Sequence, residues 1–527
     1  MPSLGSADEV GLIVQHVFCP CGVRFVSADH CPAAPVEVCD TPRSGRCPRP
    51  PPQAATPLWS SLVVEHDVAG DSYSPIPDHG RFPGDHMIGG LSSLLRGKRV
   101  LALVDGEHYP EVVRETLLTL PCRVAGALLV GGTEKLREKP DFGVPLLTGS
   151  ITDAVSACGA ELVLDLSDEP VVGGPERMAY AARAMACGVA YMGADFRFEP
   201  PRLAPFALPS IGIAGTGKRI GKTAVSGHTA RLLAGRWNVV VVAMGRGGPA
   251  DPEIVTASPS LADLLALSRS GRHAASDYIE DAVLAQVATV GARRCGGGFA
   301  AAPFDSNVEA AAEMAAKLSP DLVLFEGSGT VLPPVDVDRR ILVVGGSQDP
   351  DRVFGYLGAY RVLVSDLVVL TLADPQLDVR DMRSAIRQIR DVRVIVAALR
   401  PRPVSDVSER RVAFFTTAAR HVLPGMVDHL RTRYGARVVH ATDALTNRNR
   451  LQAELDEVDA DVYLVELKAA AIDVVAEHAE RRGIPVVFCD TEVSQLPGEP
   501  CFDQAVLTLA DEARSADWNR ASATNVR

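Results

Sequence analysis

Aromatic side chains are scarce in this sequence, 5% of 527 residues, and positive charge is in deficit, with 53 Lys and Arg against 65 Asp and Glu. The formal charge of -12 sets aside a nucleic-acid binder, which would ordinarily be basic. It does not set aside an anionic small-molecule substrate, because a local basic pocket can sit in an acidic protein. Long hydrophobic runs are also missing. The longest, such as Val239 to Met244, are strand-length, far short of the ~20 apolar residues of a membrane-spanning helix. No membrane and a cytoplasmic location are therefore expected. Paired cysteines at zinc spacing are lacking as well: Cys19, Cys21, Cys31, Cys39 and Cys47 form a Cys-x-Cys with wide gaps, whereas zinc sites place cysteines two to four apart. The segment around them is rich in proline and shows neither periodicity nor a signal-peptide pattern. Its composition predicts a disordered extension over residues 1–95, or a start placed too early, with Met87 as the true first residue. The later cysteines are scattered, as buried thiols of a reducing compartment would be.

What is present begins after Leu95. Length alone predicts three or four domains. Short apolar runs at Arg99–Val104, Val124–Val130 and Leu162–Leu166 each end in a polar turn and alternate with helical patterns. That alternation predicts a parallel, Rossmann-like sheet over 96–205. A second unit, 206–403, has strands opening at Ile211, Trp237, Leu322, Ile341, Leu363 and Val392 and closes at Arg400-Pro-Arg-Pro403. A third, 404–513, repeats the pattern from Val412, and residues 514–527 read as a frayed tail. The predicted fold class is α/β, a central nucleotide-binding domain with a parallel sheet flanked by two Rossmann-like domains.

The chemistry concentrates in Gly215-Thr-Gly-Lys-Arg-Ile-Gly-Lys-Thr223, between a strand and a helix expected from about Lys222. Backbone N–H groups and the dipole at a helix start favour phosphate. Gly215, Thr216, Gly217 and Gly221 let the backbone wrap an anion, Lys222 would reach the β- and γ-phosphates, and the Thr223 hydroxyl would ligate magnesium. The common phosphate-binding loop places its first glycine five residues before the Gly-Lys pair. Here Gly215 stands six before Gly221, and Gly217 four before it. Lys218 and Arg219 inside the loop, with Arg246 in Gly-Arg-Gly-Gly-Pro249, add cations beside the lysine that the loop already has. Such an excess suits a substrate with phosphates of its own. Asp251 and Glu253 follow closely, as metal ligands, proton acceptors or partners of these cations.

The spacing of the loop resembles dethiobiotin synthetase and its relatives, a P-loop branch that includes the MinD-like ATPases. In that branch a strand ending in Glu-Gly-x-Gly supplies a carboxylate near magnesium, and Leu322-Val-Leu-Phe-Glu326-Gly-Ser-Gly329 is similar to it. The longer runs TGKRIGKTAVSGH and VVVVAMGRGGPADPEIV, with ALVDGEHYPEVV and YMGADFRFEPP before them and RPRP, FFTTA and VELKAAAIDVV after them, resemble the cyclic 2,3-diphosphoglycerate synthetase family from Arg99 to Asp490. That resemblance implies ATP and Mg2+, phosphorylation of 2-phosphoglycerate, and ring closure of 2,3-diphosphoglycerate. On the loop chemistry, Lys222, Lys218, Arg219 and Arg246 are expected in catalysis, Gly215, Thr216, Gly217, Gly221, Lys222 and Thr223 at the nucleotide, and Thr223 and Glu326 at the metal, and the family explains Lys218 and Arg219 better than a bare ATPase does. Relatives of the branch often pair face to face, so a homodimer is a further expectation. The competing readings are another phosphoryl-activating ligase of the dethiobiotin synthetase type and a MinD-like regulatory ATPase. The latter lacks support from an amphipathic membrane tail.

Other residues stay open at this level. Asp105, Glu107 and His108 at the first strand end line a pocket, serve catalysis, or cap the following helix. Glu466 and Lys468 form either a joint site or a domain-interface salt bridge, and Thr416 and Thr417 contact phosphate or cap a helix. His228, five after Thr223 in the helix, is expected to point away from the nucleotide and to pack.

Overall fold

The computed structural model describes residues 16–18, 24–26, 89–136, 138–371 and 377–524. His16–Phe18 and Arg24–Val26 pair as antiparallel strands, a unit described by itself. The expectations of a disordered extension and of a start at Met87, and the five early cysteines, otherwise lie outside the described residues. A helix spans Gly89–Leu95. The later cysteines are free thiols, and two of them, Cys295 and Cys501, are exposed rather than buried.

The first sheet comprises β1 (Arg99–Val104), β2 (Arg123–Leu129), β3 (Leu146–Leu147), β4 (Leu162–Asp165), β5 (Ala190–Met192) and β6 (Arg197–Phe198). Its order is β3-β2-β1-β4-β5-β6, parallel except for β6. β1 is buried from Val100 to Val104 because helices cover both faces, which is why it reads as an unbroken apolar run. The helix Ile151–Cys158 between β3 and β4 starts at a capping box of Ser150 and Asp153 and stops at Gly159 in left-handed conformation.

The second sheet is wide. Its strands are β7 (Ser210–Gly215), β8 (Val239–Gly245), β9 (Glu253–Val255), β10 (Ala288–Cys295), β11 (Leu322–Glu326), β12 (Arg339–Gly345), β13 (Leu367–Thr371), β14 (Arg393–Pro403), β15 (Arg411–Phe415), β16 (Arg437–Thr442), β17 (Val462–Glu466) and β18 (Val486–Gln495). They run β9-β10-β8-β11-β7-β12-β13-β14-β18-β17-β15-β16. Pairing is parallel except β9 with β10 and β14 with β18, and a thirteenth short strand, Asp305–Ser306, pairs antiparallel with the end of β10 off this path. Alternate side chains leave opposite faces. Ile213, Val241, Leu324 and Val343 pack on one side, and Val240, Val242, Val323 and Phe325 on the other.

Three expectations change here. The strand expected from Leu363 begins at Leu367, because Ala359–Leu363 is helical. The helix Phe502–Thr524 continues past Arg514, the expected start of a frayed tail, with Val506, Leu509, Ala510 and Ala513 buried. Arg400-Pro-Arg-Pro403 does not close a sheet but lies within β14, paired with Asp490 to Glu492 and Cys489 of β18. The prolines are tolerated because of strand parity. The Val404 N–H donates to Phe488 on β18, so positions 401 and 403 aim their missing donors at the opposite edge. β13 has already ended there, its last pair being Leu370 with Val396.

Candidate active site

β7 delivers the glycine loop to the start of α1 (Lys222–Ala234), the center of the wide sheet. Gly221 caps α1 at φ +81, a left-handed backbone that a β-carbon disfavors. A β-carbon there would also overlap Leu399 of β14. Two side chains that sequence reasoning missed hold the loop. Gln348 accepts from the Thr216 hydroxyl at 2.5 Å and from the Gly345 N–H at 3.0 Å. The Thr371 hydroxyl at the end of β13 donates to the Ile220 carbonyl.

Glu326 is the last residue of β11, level with Ile213 on β7 and Ala243 on β8. It is 1% exposed and ion-pairs with Lys222, itself 9% exposed. Burial works to raise the Glu326 carboxyl, but the Lys222 ammonium, with hydrogen bonds from Asp281, Lys222 and Thr223, holds it below its ordinary value. Burial works to lower Lys222, and Glu326 with Asp277 and Asp281 raises it instead. Lys222, Thr223 and Glu326 are thus brought together.

The acids around this pair went unread. They come from α2 (Asp277–Leu284), which places Asp277, Glu280 and Asp281 on one turn. Burial drives all three carboxyls upward: Asp277 and Asp281 also because Glu326 stands beside them, and Glu280 to about 8 despite the opposing pull of Lys468. Asp281 Oδ2 and Glu326 Oε2 are buried and meet no hydrogen-bond donor in good geometry among the described residues. Two carboxyls so placed need a shared proton or a cation. Their hard oxygens, with the Thr223 hydroxyl, fit a magnesium ion.

The remaining candidates separate. Lys218 and Arg219 are exposed on the loop, Arg219 at φ +59, with no carboxylate within ion-pair distance among the described residues. Arg246 is exposed beyond β8 and lies against Gly329. Asp251 is exposed, and Glu253 is occupied by Arg272 at 2.6 Å and the Tyr278 hydroxyl at 2.9 Å. Lys468 reaches from beyond β17 to Glu280 at 3.3 Å. Glu466 turns the other way, accepting from Thr416 at 2.5 Å and from the Thr417 N–H and hydroxyl at 2.8 Å. Asp105 accepts from the N–H groups of Glu107, His108 and Asp168 and from His108 Nδ1, so it braces the turn after β1 and does not cap the helix Pro110–Thr119, whose N-cap Tyr109 makes no side-chain bond. His228 packs, bonded to Asp503 at 2.8 Å and to the Val493 N–H at 2.9 Å.

Family models described as cyclic 2,3-diphosphoglycerate synthetase match the chain in three parts: the N-terminal domain over residues 99–199, the P-loop domain over 210–399 and the C-terminal domain over 403–492. A protein of Rubrobacter xylanophilus named cyclic 2,3-diphosphoglycerate synthetase is 45% identical over 80% of this chain and 99% of its own. Proteins with the same name from Methanothermus fervidus and Thermococcus gammatolerans are each 40% identical, over 75% and 80% of this chain and 92% and 99% of theirs. No helix among the described residues is long and apolar enough to cross a membrane.

Proposed function

Because the chain belongs to the cyclic 2,3-diphosphoglycerate synthetase family and is an ATP-dependent ligase on a P-loop framework, we propose that it closes 2,3-diphosphoglycerate into its cyclic anhydride, releasing ADP and phosphate. The observation that carries this reading is one corner of the fold. The buried Lys222–Glu326 pair stands at the mouth of the glycine loop, and cations without carboxylate partners among the described residues lie beside that loop.

Joining two phosphates of one molecule is uphill, so one of them must first be activated. An oxygen of one substrate phosphate attacks the γ-phosphorus of ATP, and ADP leaves with the bridging oxygen. An oxygen of the neighboring phosphate then attacks the inner phosphorus of the new diphosphate. The bond to the outer phosphoryl breaks, inorganic phosphate departs and the ring closes. Little covalent work falls to the protein, whose part is positioning and charge neutralization.

Backbone N–H groups of residues 215–221 and the start of α1 would hold the donor phosphates, and Lys222 would move from Glu326 to the β- and γ-oxygens. Thr223, Glu326 and Asp281 would hold magnesium, which when bound supplies charge neutralization at the transferring group. Lys218, Arg219 and Arg246 would face the acid. Phosphorylation of 2-phosphoglycerate would use the same donor geometry, with the free hydroxyl as the nucleophile.

The test is magnesium-dependent ADP release as a function of added acid, with products followed by phosphorus NMR. Release stimulated by 2,3-diphosphoglycerate, together with a cyclic pyrophosphate signal, is expected. ATP turnover indifferent to both phosphoglycerates rejects the reading. Stimulation by unrelated carboxylic acids instead points to a ligase acting on a carboxylate.

A further inference from the structure

We propose that Arg294, together with Arg246, forms a phosphate subsite for the acceptor acid beside the glycine loop, an inference that rests on the functional reading above. Arg294 is the penultimate residue of β10 and is only 8% exposed. Its Nη1 donates to the Gly296 carbonyl at 2.5 Å and its Nη2 to the Ser328 carbonyl at 2.9 Å. Its Nε is buried with no acceptor among the described residues. Both acceptors are neutral, and among the described residues no carboxylate lies within ion-pair distance of Arg294 or Arg246. A guanidinium cannot shed its proton in a protein, so burying one away from an anion is costly.

A second cation makes the need sharper. A β-carbon built on Gly329 would lie 2.8 Å from Arg246 Nη2 and 3.5 Å from Arg294 Nη2, so two guanidinium groups converge on one glycine. Burial and the Arg246 charge both disfavor the Arg294 cation. The second cation is what sets the site apart. Arg231 and Arg402 share Asp490, and Arg361, as buried as Arg294 and likewise donating to a backbone carbonyl with its Nε unpaired among the described residues, has no other cation pressing on it. An arginine pair left open in this way fits phosphate, whose oxygens accept two parallel N–H bonds from the planar fork.

Position ties the pair to the reaction. Gly329, at φ +61, keeps this backbone open to both arginines, and its carbonyl oxygen would be 3.1 Å from a β-carbon on Gly215. The pair therefore adjoins the first glycine of the loop. A phosphate held there stands next to the donor phosphates, where the acceptor must be presented.

The experiment uses the full chain with Arg294→Met, Arg294→Lys and Arg246→Ala. ADP release is measured against 2,3-diphosphoglycerate and against ATP, and Tm is measured with and without 2,3-diphosphoglycerate. For Arg294→Met the KM for the acid should rise about tenfold or more, the loss of one charge-assisted contact, with the KM for ATP little changed. Arg294→Lys, which keeps the charge and loses the fork, should fall between, and Arg246→Ala should raise the KM for the acid more than that for ATP. Without ligand, Arg294→Met should melt no lower than wild type, because it removes a buried cation without a counter-ion. The acid should raise the wild-type Tm and fail to raise that of Arg294→Met. A lower ligand-free Tm with unchanged KM for the acid makes Arg294 a structural brace and overturns the subsite. So does an equal Tm gain in wild type and variant, or no gain in either. Wild type that binds the acid through Arg294 yet never releases ADP in response would sink the functional reading instead.

Discussion

Lys222→Ala separates the structural and chemical roles of one side chain. In the folded protein Lys222 is the cation paired with Glu326, and Asp277 and Asp281 press on the same carboxylate. Removing one partner of a buried ion pair costs about 3 to 5 kcal/mol if the other stays charged. Glu326 can instead take up a proton, because loss of the ammonium removes the largest influence holding its pKa down and leaves burial opposed only by the hydrogen bonds from Asp281 and Thr223. In wild type the Glu326 value lies below the ordinary 4.5, so its contribution is present above that pH and is lost only as pH falls through the lower folded value. In Lys222→Ala the folded value is expected to rise above the ordinary one. The variant then loses ~1.4 kcal/mol for each pH unit gained between the unfolded and folded values. Denaturant midpoints from about pH 6 to pH 8 should fall more steeply in Lys222→Ala than in Lys222→Ala/Glu326→Gln, whose amide needs no counter-ion and which keeps only the contribution of the α2 acids. The double variant should recover most of the stability at the upper pH, and neither should release ADP. Parallel pH profiles for the two would refute the coupling drawn between Lys222 and Glu326. Normal ADP release from either would refute the role proposed for Lys222 at the phosphates.

Gly221→Ala combines an unfavorable left-handed φ with overlap onto Leu399, together about 2 to 4 kcal/mol by urea unfolding. A change under about 0.5 kcal/mol would show that the loop does not need glycine there. Burial raises Glu280 to about 8 against an ordinary 4.5, so wild-type stability should fall as pH rises across that window. Glu280→Gln should remove that part of the slope, and unfolding curves at about pH 6 and pH 9 that stay parallel for the two proteins would contradict it. Asp105→Ala strands the N–H groups of Glu107, His108 and Asp168. A loss of about 2 to 4 kcal/mol is expected, with ADP release retained at temperatures where the protein is folded. Loss of activity with unchanged stability would instead make Asp105 a functional residue.

Strand positions were legible because burial on both faces writes an unbroken apolar run at Arg99, Val239, Leu322 and Val412. The loop was legible because phosphate binding needs glycine, lysine and a hydroxyl at short spacing. β10 was not. Its apolar residues are interrupted by Gly291 and two arginines, and Gly291 is there because a β-carbon would run into the Tyr278 ring. Arg294 went unread with it. The acids of α2 share one turn, a pattern that also describes an ordinary solvated helix face. Only their burial distinguishes them.

Local chemistry along the chain was enough to set the strand-loop-helix that meets a nucleotide, because each part of it answers to residues within one short stretch. Long-range packing alone decided that Asp277 and Asp281 close on the Lys222–Glu326 pair, that Lys468 pairs with Glu280, and that Arg294 meets no counter-ion among the described residues beside Gly329. Whether a charge is solvated or stranded depends on which distant strand and helix close over it, and no spacing in the chain records that.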